Sequence, residues 1–302
     1  MSPNSHKLIE QNSDPILEPQ NIMKQLLLSS VAALALCGAS QAGTITVKGS
    51  DTLVILAQKW AEVYMGKNSG TKIQVTGGGT GTGFAALQNQ STDLCNASRK
   101  IKPKEIETCV KAFGKRPTEY KVCLDGLSIY VNAENPVKEL SVEQIDLIFT
   151  GKIKNWKDVG GLNAPITVYS RENSSGTYEF FKEFVLKNKD FASSAQTMPG
   201  TAAVLQAVAK DKNGIGYGGA AYGAGAKHLA VKETANSKAI EPTSENVVSH
   251  AYPIWRYLYI YVNPALDKGE VADYLAWIRS DDGQKVVNDV GYYPLPENLR
   301  NK

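Results

Sequence analysis

Histidine, cysteine and long apolar runs are all scarce in this chain of 302 residues. There are three histidines and four cysteines. Beyond residue 42 the only histidines are His228 and His250, and neither stands at ligand spacing with Cys95, Cys109 or Cys123. That excludes a zinc-type cluster, and neither a metal nor a cofactor is expected. No block of lysine and arginine occurs, and the net charge is only +3, so a nucleic-acid or other polyanion surface is not expected. Internal repeats and low-complexity tracts are absent beyond residue 42.

The one apolar run, Leu26–Leu36, is short of the roughly 20 residues that span a bilayer. Met23-Lys24 precedes it and Ser40-Gln41-Ala42 follows, with small residues at the cleavage positions. This is the pattern of an export signal over about residues 23–42, with Gly43 as the mature start. Residues 1–22 are polar and unlike a signal's basic segment. Leu36 before Cys37 is too large for a lipoprotein signal, so no lipid anchor is expected. The mature chain is expected in the periplasm, where one disulfide is permitted. Cys109 and Cys123 flank a polar, turn-rich stretch and are the expected pair, leaving Cys95 as a small core residue.

A chain this long exceeds what one hydrophobic core usually takes, so two domains are the default. Beyond Gly43, short β-rich runs alternate with helical spacing. Thr44–Lys48 is followed by Leu53, Leu56, Ala57, Trp60 and Tyr64. Then come Lys72–Val75, Phe84 with Leu87, and Leu94–Ala97. The βαβαβ order predicts an α/β fold with a parallel sheet and a ligand site beyond the carboxyl ends of its strands. Two similar runs, Leu127–Asn132 and Tyr257–Asn263, bracket the middle of the chain and read as two crossings between lobes. The expected division is therefore 43–130 plus 257–302 for one lobe and 131–256 for the other.

Three turns rich in glycine, serine and threonine run straight into helices: Gly49-Ser50-Asp51-Thr52, Gly77 to Gly83, and Ser174-Ser175-Gly176-Thr177. A helix start offers unpaired N–H groups and the positive end of the dipole, so it suits an anion. Each turn alone reads equally as an ordinary cap. Three together, with Arg171 beside the third, point to a small oxyanion bound by many hydrogen bonds. Arginine presents a planar fork suited to two anion oxygens. Trp60 and Trp156 read as core residues. Tyr252, Trp255 and Arg256, just before the second crossing, read more readily as core than as cleft.

The motifs GSDTLVILAQKWAEVY, GGGTGTGFAAL, DLCNASRKIK, GLSIYVN, FTGKIKNWKDVGG, SRENSSGTYEFF, NGIGYGGAAY and YPIWRYLYIYVN occur in this order. Together, over about Thr44 to Pro296, they resemble the phosphate-binding proteins of bacterial ABC phosphate importers. The resemblance implies a type II periplasmic-binding-protein fold: two α/β lobes, two crossing hinge strands and one phosphate in the cleft. It implies a non-enzymatic receptor, a monomer, that delivers phosphate to a membrane permease driven by a separate ATPase. Motif by motif, it places phosphate contacts on Thr52 and the Leu53 N–H, on Thr80, and on Arg171, Ser175, Gly176 and Thr177.

Two departures bear on selectivity. Family members carry an aspartate, in the segment matching Asn96-Ala97-Ser98-Arg99, that accepts the proton of hydrogen phosphate; here Arg99 stands in its place. Either Arg99 contacts the anion, or it points away and Ser98 takes over. Asp51 is then the candidate proton acceptor, with a helix-start acid as the equal alternative. Many members also have, at Asn173, an acid that holds the binding arginine. These changes keep open a receptor for sulfate, molybdate or arsenate. A secreted phosphatase using Ser175 or Thr80 would need a base or metal beside the nucleophile, which the sequence does not offer. A structural or adhesive role is neither supported nor excluded.

Overall fold

Alternating inward residues open the chain: Ile45 and Val47 on β1 (Thr44–Gly49) point into a core. Helix α1 (Val54–Lys67) lays Leu56, Ala57, Trp60, Ala61 and Tyr64 against the same core, the spacing of one helix face. Strand β2 (Lys72–Thr76), helix α2 (Thr80–Gln88) and strand β3 (Leu94–Ala97) complete the expected unit. β1 pairs in parallel with both β2 and β3. In this computed structural model the described residues are 43–223 and 226–300. The expected signal peptide and the polar extension before it lie outside them. Among the described residues no helix is long and apolar enough to cross a membrane.

Helix α3 (Pro103–Phe113) occupies a stretch to which the sequence reading gives no element, its end entering the turn-rich segment after Cys109. Pro103 at its first turn and the Glu105 carboxylate, which accepts the Lys102 N–H at 2.8 Å, start it, and Gly114 in the left-handed region ends it. Next comes β4 (Thr118–Val131), longer than expected because Thr118–Leu124 already runs as strand. The chain continues through β5 (Glu139–Ser141), α4 (Val142–Phe149), β6 (Thr167–Arg171), α5 (Gly176–Phe184), β7 (Gln196–Met198) and α6 (Gly200–Lys210). It proceeds through β8 (Gly214–Gly219), β9 (Lys227–Lys232), α7 (Ser244–Val248) and β10 (Trp255–Val262). Finally α8 (Gly269–Arg279) and α9 (Asp281–Val290) return to α1, where Trp60 Nε1 donates to the Gly283 carbonyl at 2.8 Å.

The main path of the sheet runs β2-β1-β3-β10-β4-β8-β6-β7, with β9 beside β4 and β5 beside β9. The two crossing strands, β10 and β4, lie side by side and antiparallel at its middle. Val122 and Cys123 pack with β1, α1, α8 and α9, whereas Leu124, Leu127, Ile129 and Val131 pack with α4, α5 and β8. The core therefore changes near Leu124, earlier than the expected boundary at residue 130. A β-bulge at Leu258/Tyr259 falls at the same place, which strengthens the local twist.

The expected Cys109–Cys123 disulfide is not formed. Cys109 sits on α3 in the cluster with Cys95 and Phe84, while Cys123 sits on β4 in the neighbouring cluster, and all three thiols are free and buried. Burial pushes the Cys109 thiol up to about 11, and those of Cys95 and Cys123 well above their ordinary value. They are inert core thiols.

Candidate anion site between the lobes

The first side of the site is the β1–α1 turn and the start of α2. Thr52 is almost fully buried, and its Oγ1 lies 2.7 Å from Thr177 Oγ1 on the other side. Gly79 has φ +91°, and a Cβ there would stand 2.5 Å from the Ser174 carbonyl oxygen, so only glycine permits this approach. The close approach lets the Gly81 N–H donate to the Ser174 carbonyl at 2.8 Å, a backbone bond from lobe to lobe. Thr80 and Ser98 stand together: the Ser98 N–H donates to Thr80 Oγ1 at 3.1 Å, and their hydroxyl oxygens lie 3.3 Å apart. The Leu53 N–H reaches the Ser50 carbonyl at 3.1 Å, and the leucine side chain is core.

The second side is the end of β6 and the start of α5. Phe181 of α5 stacks on Tyr217 of β8 with ring centroids 4.0 Å apart, which fixes the helix over the sheet. Ser175 caps the helix by accepting the Tyr178 N–H at 3.2 Å. Gly176 and Thr177 follow, their N–H groups being among those a helix start leaves without an intrahelical acceptor. At Gly176 a Cβ would lie 2.4 Å from Thr80 Oγ1 and 2.8 Å from Ser98 Oγ, so the absence of a side chain brings the two sides together.

Arg171 ends β6 and is buried. Its Nη1 donates to Thr201 Oγ1 at 2.8 Å, its Nη2 to Asp51 Oδ2 at 3.0 Å and to Glu172 Oε1 at 2.7 Å, and its Nε to Glu172 Oε2 at 3.1 Å. Burial raises the Glu172 pKa, but the hydrogen bonds and charge of Arg171 and the Gly200 N–H outweigh it and hold the carboxyl below its usual range. Asp51 spends its second oxygen on the Gly78 N–H at 2.8 Å. It therefore serves as a holder of Arg171, the task expected of the position now filled by Asn173. Asn173 itself is exposed. Tyr222 donates to the Asp51 carbonyl at 2.5 Å, and burial together with the Asp51 charge pushes its hydroxyl up to about 12, so it stays a donor.

Arg99 is turned away from these hydroxyls, which corrects its expected place among the anion contacts. Its guanidinium is clamped by Glu105 at 2.7 and 2.8 Å and by Glu179 through Nε. Lys102 also reaches Glu179 at 2.7 Å. Two carboxylates with better geometry outcompete the cleft, and because Glu179 belongs to α5 the group latches one lobe to the other. Ser98, the alternative at this point of the sequence, is the residue that faces Thr80 and Thr177, the latter at 3.4 Å.

Sequence reasoning gives Arg256 to the core rather than the cleft and does not single out Asp125. Arg256 on β10 and Asp125 on β4 are directly opposite in the strand register, and the Asp125 carboxylate is fully buried. Asp125 Oδ2 accepts from Arg256 Nε at 3.0 Å and from Nη2 at 2.8 Å. Arg256 also donates to the Ser98 carbonyl and to Thr177 Oγ1, both at 3.0 Å. The available signal is a charge just ahead of each of the two echoing apolar runs, Asp125 before Leu127–Asn132 and Arg256 before Tyr257–Asn263.

The hydroxyls share one polarity. Thr80 Oγ1 accepts from the Ser98 N–H, Ser175 Oγ from the Tyr178 N–H, and Thr177 Oγ1 from Arg256. A hydroxyl whose lone pair is engaged in this way has its own proton free to give. The arrangement is a cluster of donors at a helix start, chemically matched to the oxygens of an anion.

A family model described as the PBP superfamily domain matches residues 38–282. A relative from Pseudomonas aeruginosa, the phosphate-binding protein PstS, is 35% identical over 277 residues, covering 86% of this chain and 85% of its own. The phosphate-binding protein PstS of Staphylococcus aureus is 33% identical over 258 residues, covering 82% and 77%. The chain belongs to the phosphate-binding protein family. Among solved structures it is similar to a Clostridium perfringens protein determined with bound phosphate and assigned as the substrate-binding protein of a phosphate ABC transporter. That match has a TM-score of 0.77 and 27% identity, covering 84% of this chain and 100% of the other. An ABC-type phosphate transport receptor from Vibrio cholerae matches with a TM-score of 0.66 and 26% identity, covering 83% and 100%. The two-lobed α/β architecture with two adjacent crossing strands is the type II fold of this family.

Proposed function

We propose that this protein is an extracytoplasmic receptor that captures inorganic phosphate between its lobes and delivers it to the permease and ATPase of an ABC importer. The observation that carries this reading is the meeting, at one place, of Thr52, Thr80 and Ser98 from one lobe with Gly176 and Thr177 from the other, with Ser175 capping the same helix start and Arg171 tied to Asp51 beside Thr52. Hydrogen bonds to a charged group are worth roughly 1.5–3 kcal/mol each, so a set of them offsets the dehydration of a small dianion. Asp51 and Glu172 hold Arg171 in place rather than contact the ligand. We read one lobe as residues 43 to about 124 plus 257–302 and the other as the segment between, a reading supported by the change of core near Leu124. Phosphate-binding relatives support binding and release without chemistry, and the export pattern over about residues 23–42 supports a place in the periplasm.

Calorimetry on ligand-free protein tests this. One-to-one phosphate binding with a change in the chain's dimensions on closure is the expected result; no heat with phosphate overturns it. Because the hydroxyl cluster is donor-rich, sulfate and arsenate belong in the same titration series, and either one binding more tightly than phosphate would reassign the receptor.

A further inference from the structure

We propose that Arg256 is a positioning residue of the anion site: it locks Thr177 as a donor toward the ligand and ties that hydroxyl to both crossing strands. The inference rests on the phosphate-receptor reading above and deepens it.

A threonine hydroxyl has one proton to give and two lone pairs to fill. Thr177 Oγ1 faces two other hydroxyls, Thr52 at 2.7 Å and Ser98 at 3.4 Å, and among hydroxyls alone the direction of donation is undecided. Arg256 narrows the choice, because a guanidinium can only donate and claims one of the two lone pairs. With Nη2 placed 3.0 Å from Thr177 Oγ1, one lone pair is taken and the threonine proton is turned toward Thr52, Ser98 or an anion oxygen set among them. A donor fixed in advance costs no reorganisation when the ligand arrives.

Arg256 is suited to this by its own restraint. Asp125, directly across the strand pair, takes Nε and Nη2, and the Ser98 carbonyl takes Nη1. The Phe180 ring lies 5.2 Å from the guanidinium carbon and covers one of its sides. The side chain is almost wholly buried, so its direction is set by these partners rather than by solvent. It thereby joins four segments: β4 through Asp125, β10 through its own backbone, the β3 end through Ser98, and α5 through Thr177. A lysine at this position would keep the charge opposite Asp125 but cannot span the carboxylate, the carbonyl and the hydroxyl together.

The test is a double-mutant cycle on phosphate affinity by calorimetry, using Arg256→Lys, Thr177→Val and both. Each single variant is expected to lose about tenfold, as for one charge-assisted bond. The double variant is expected to lose no more than about twofold beyond the weaker single, because both remove the same donor. As a control, Arg171→Lys combined with Arg256→Lys is expected to multiply. Wild-type affinity in Arg256→Lys, or losses that multiply with Thr177→Val, would overturn the role assigned to Arg256 while leaving the receptor reading intact. Failure of the unaltered protein to bind phosphate would instead overturn that reading. If Arg256→Lys does not fold, Arg256→Gln with Asp125→Asn replaces the ion pair by a neutral one, and the same cycle decides.

Discussion

Arg171 Nη2 lies 3.0 Å from Asp51 Oδ2, so the arginine of one lobe is held by a carboxylate of the other. Closing the lobes therefore assembles the arginine's surroundings as well as the ligand's, and the same contact serves both binding and closure.

Replacing Arg171 by alanine removes a buried donor and leaves Asp51 and Glu172 facing each other. The expected loss of phosphate affinity is about 10- to 100-fold, measured by calorimetry on the folded variant. Asp51→Asn keeps a hydrogen-bond acceptor for the arginine and is expected to lose less. An Arg171→Ala variant that binds as tightly as the parent would remove this residue from the site.

Gly176→Ala tests the contact between the two sides. The added carbon would meet Thr80 Oγ1 at 2.4 Å, so the lobes cannot close fully. We expect weaker phosphate binding and a larger radius of gyration in saturating phosphate, by small-angle scattering, with little change in the melting temperature without ligand. Unchanged closure would show that the sides adjust at no cost.

Arg99→Gln separates the latch from the ligand contacts. Glu105 and Glu179 lose their partner, and because both are partly exposed the expected cost is modest, about 1–2 kcal/mol. The melting temperature is expected to fall, while phosphate still raises it by a comparable increment. Disappearance of that increment would return Arg99 to the ligand.

His228 offers a pH test away from the site. Burial lowers its pKa, more than the Gly223 backbone bond and Glu241 raise it, and its ring stands edge-on to Tyr130 at 5.2 Å. With a folded pKa below the unfolded value of about 6.5, the unfolded chain takes up the proton first. Its stabilising contribution is whole above about pH 6.5 and is lost as the pH falls from there through the folded pKa. Melting temperatures measured from pH 7.5 to 5 are expected to decline, and His228→Gln is expected to flatten that decline. An equal decline in the variant would assign the effect elsewhere.

The alternating strands and helices of residues 44–97 were legible because apolar spacing and glycine turns agree there. Arg171 with Ser175, Gly176 and Thr177 was legible because strand end, basic residue and helix start are contiguous. Helix α3 was not, since only its buried Cys109 and a few partly buried neighbours face inward, and Pro103 with Glu105 was the one start signal. Arg99 stayed open between the anion and an outward course because its partners, Glu105 and Glu179, are 6 and 80 residues away and sequence gives no means of weighing them against an anion. Arg256 and Asp125 stayed hidden for a related reason. A charge inside an apolar strand has no meaning until the register brings its opposite alongside, 131 residues distant.

The bulge at Leu258/Tyr259 sits where the paired crossing strands pass from one core to the other. A sheet interrupted at that single point can be wrung about it like a strip of spring steel, with the ladder bonds on either side kept. Opening then spends its free energy on the clasps in the cleft, the Gly81–Ser174 backbone bond among them, and little on the crossing strands. The stiffness of the receptor and the grip on its cargo can thus be altered separately, one by substitutions along β4 and β10 away from Asp125 and Arg256, the other by substitutions at the helix starts.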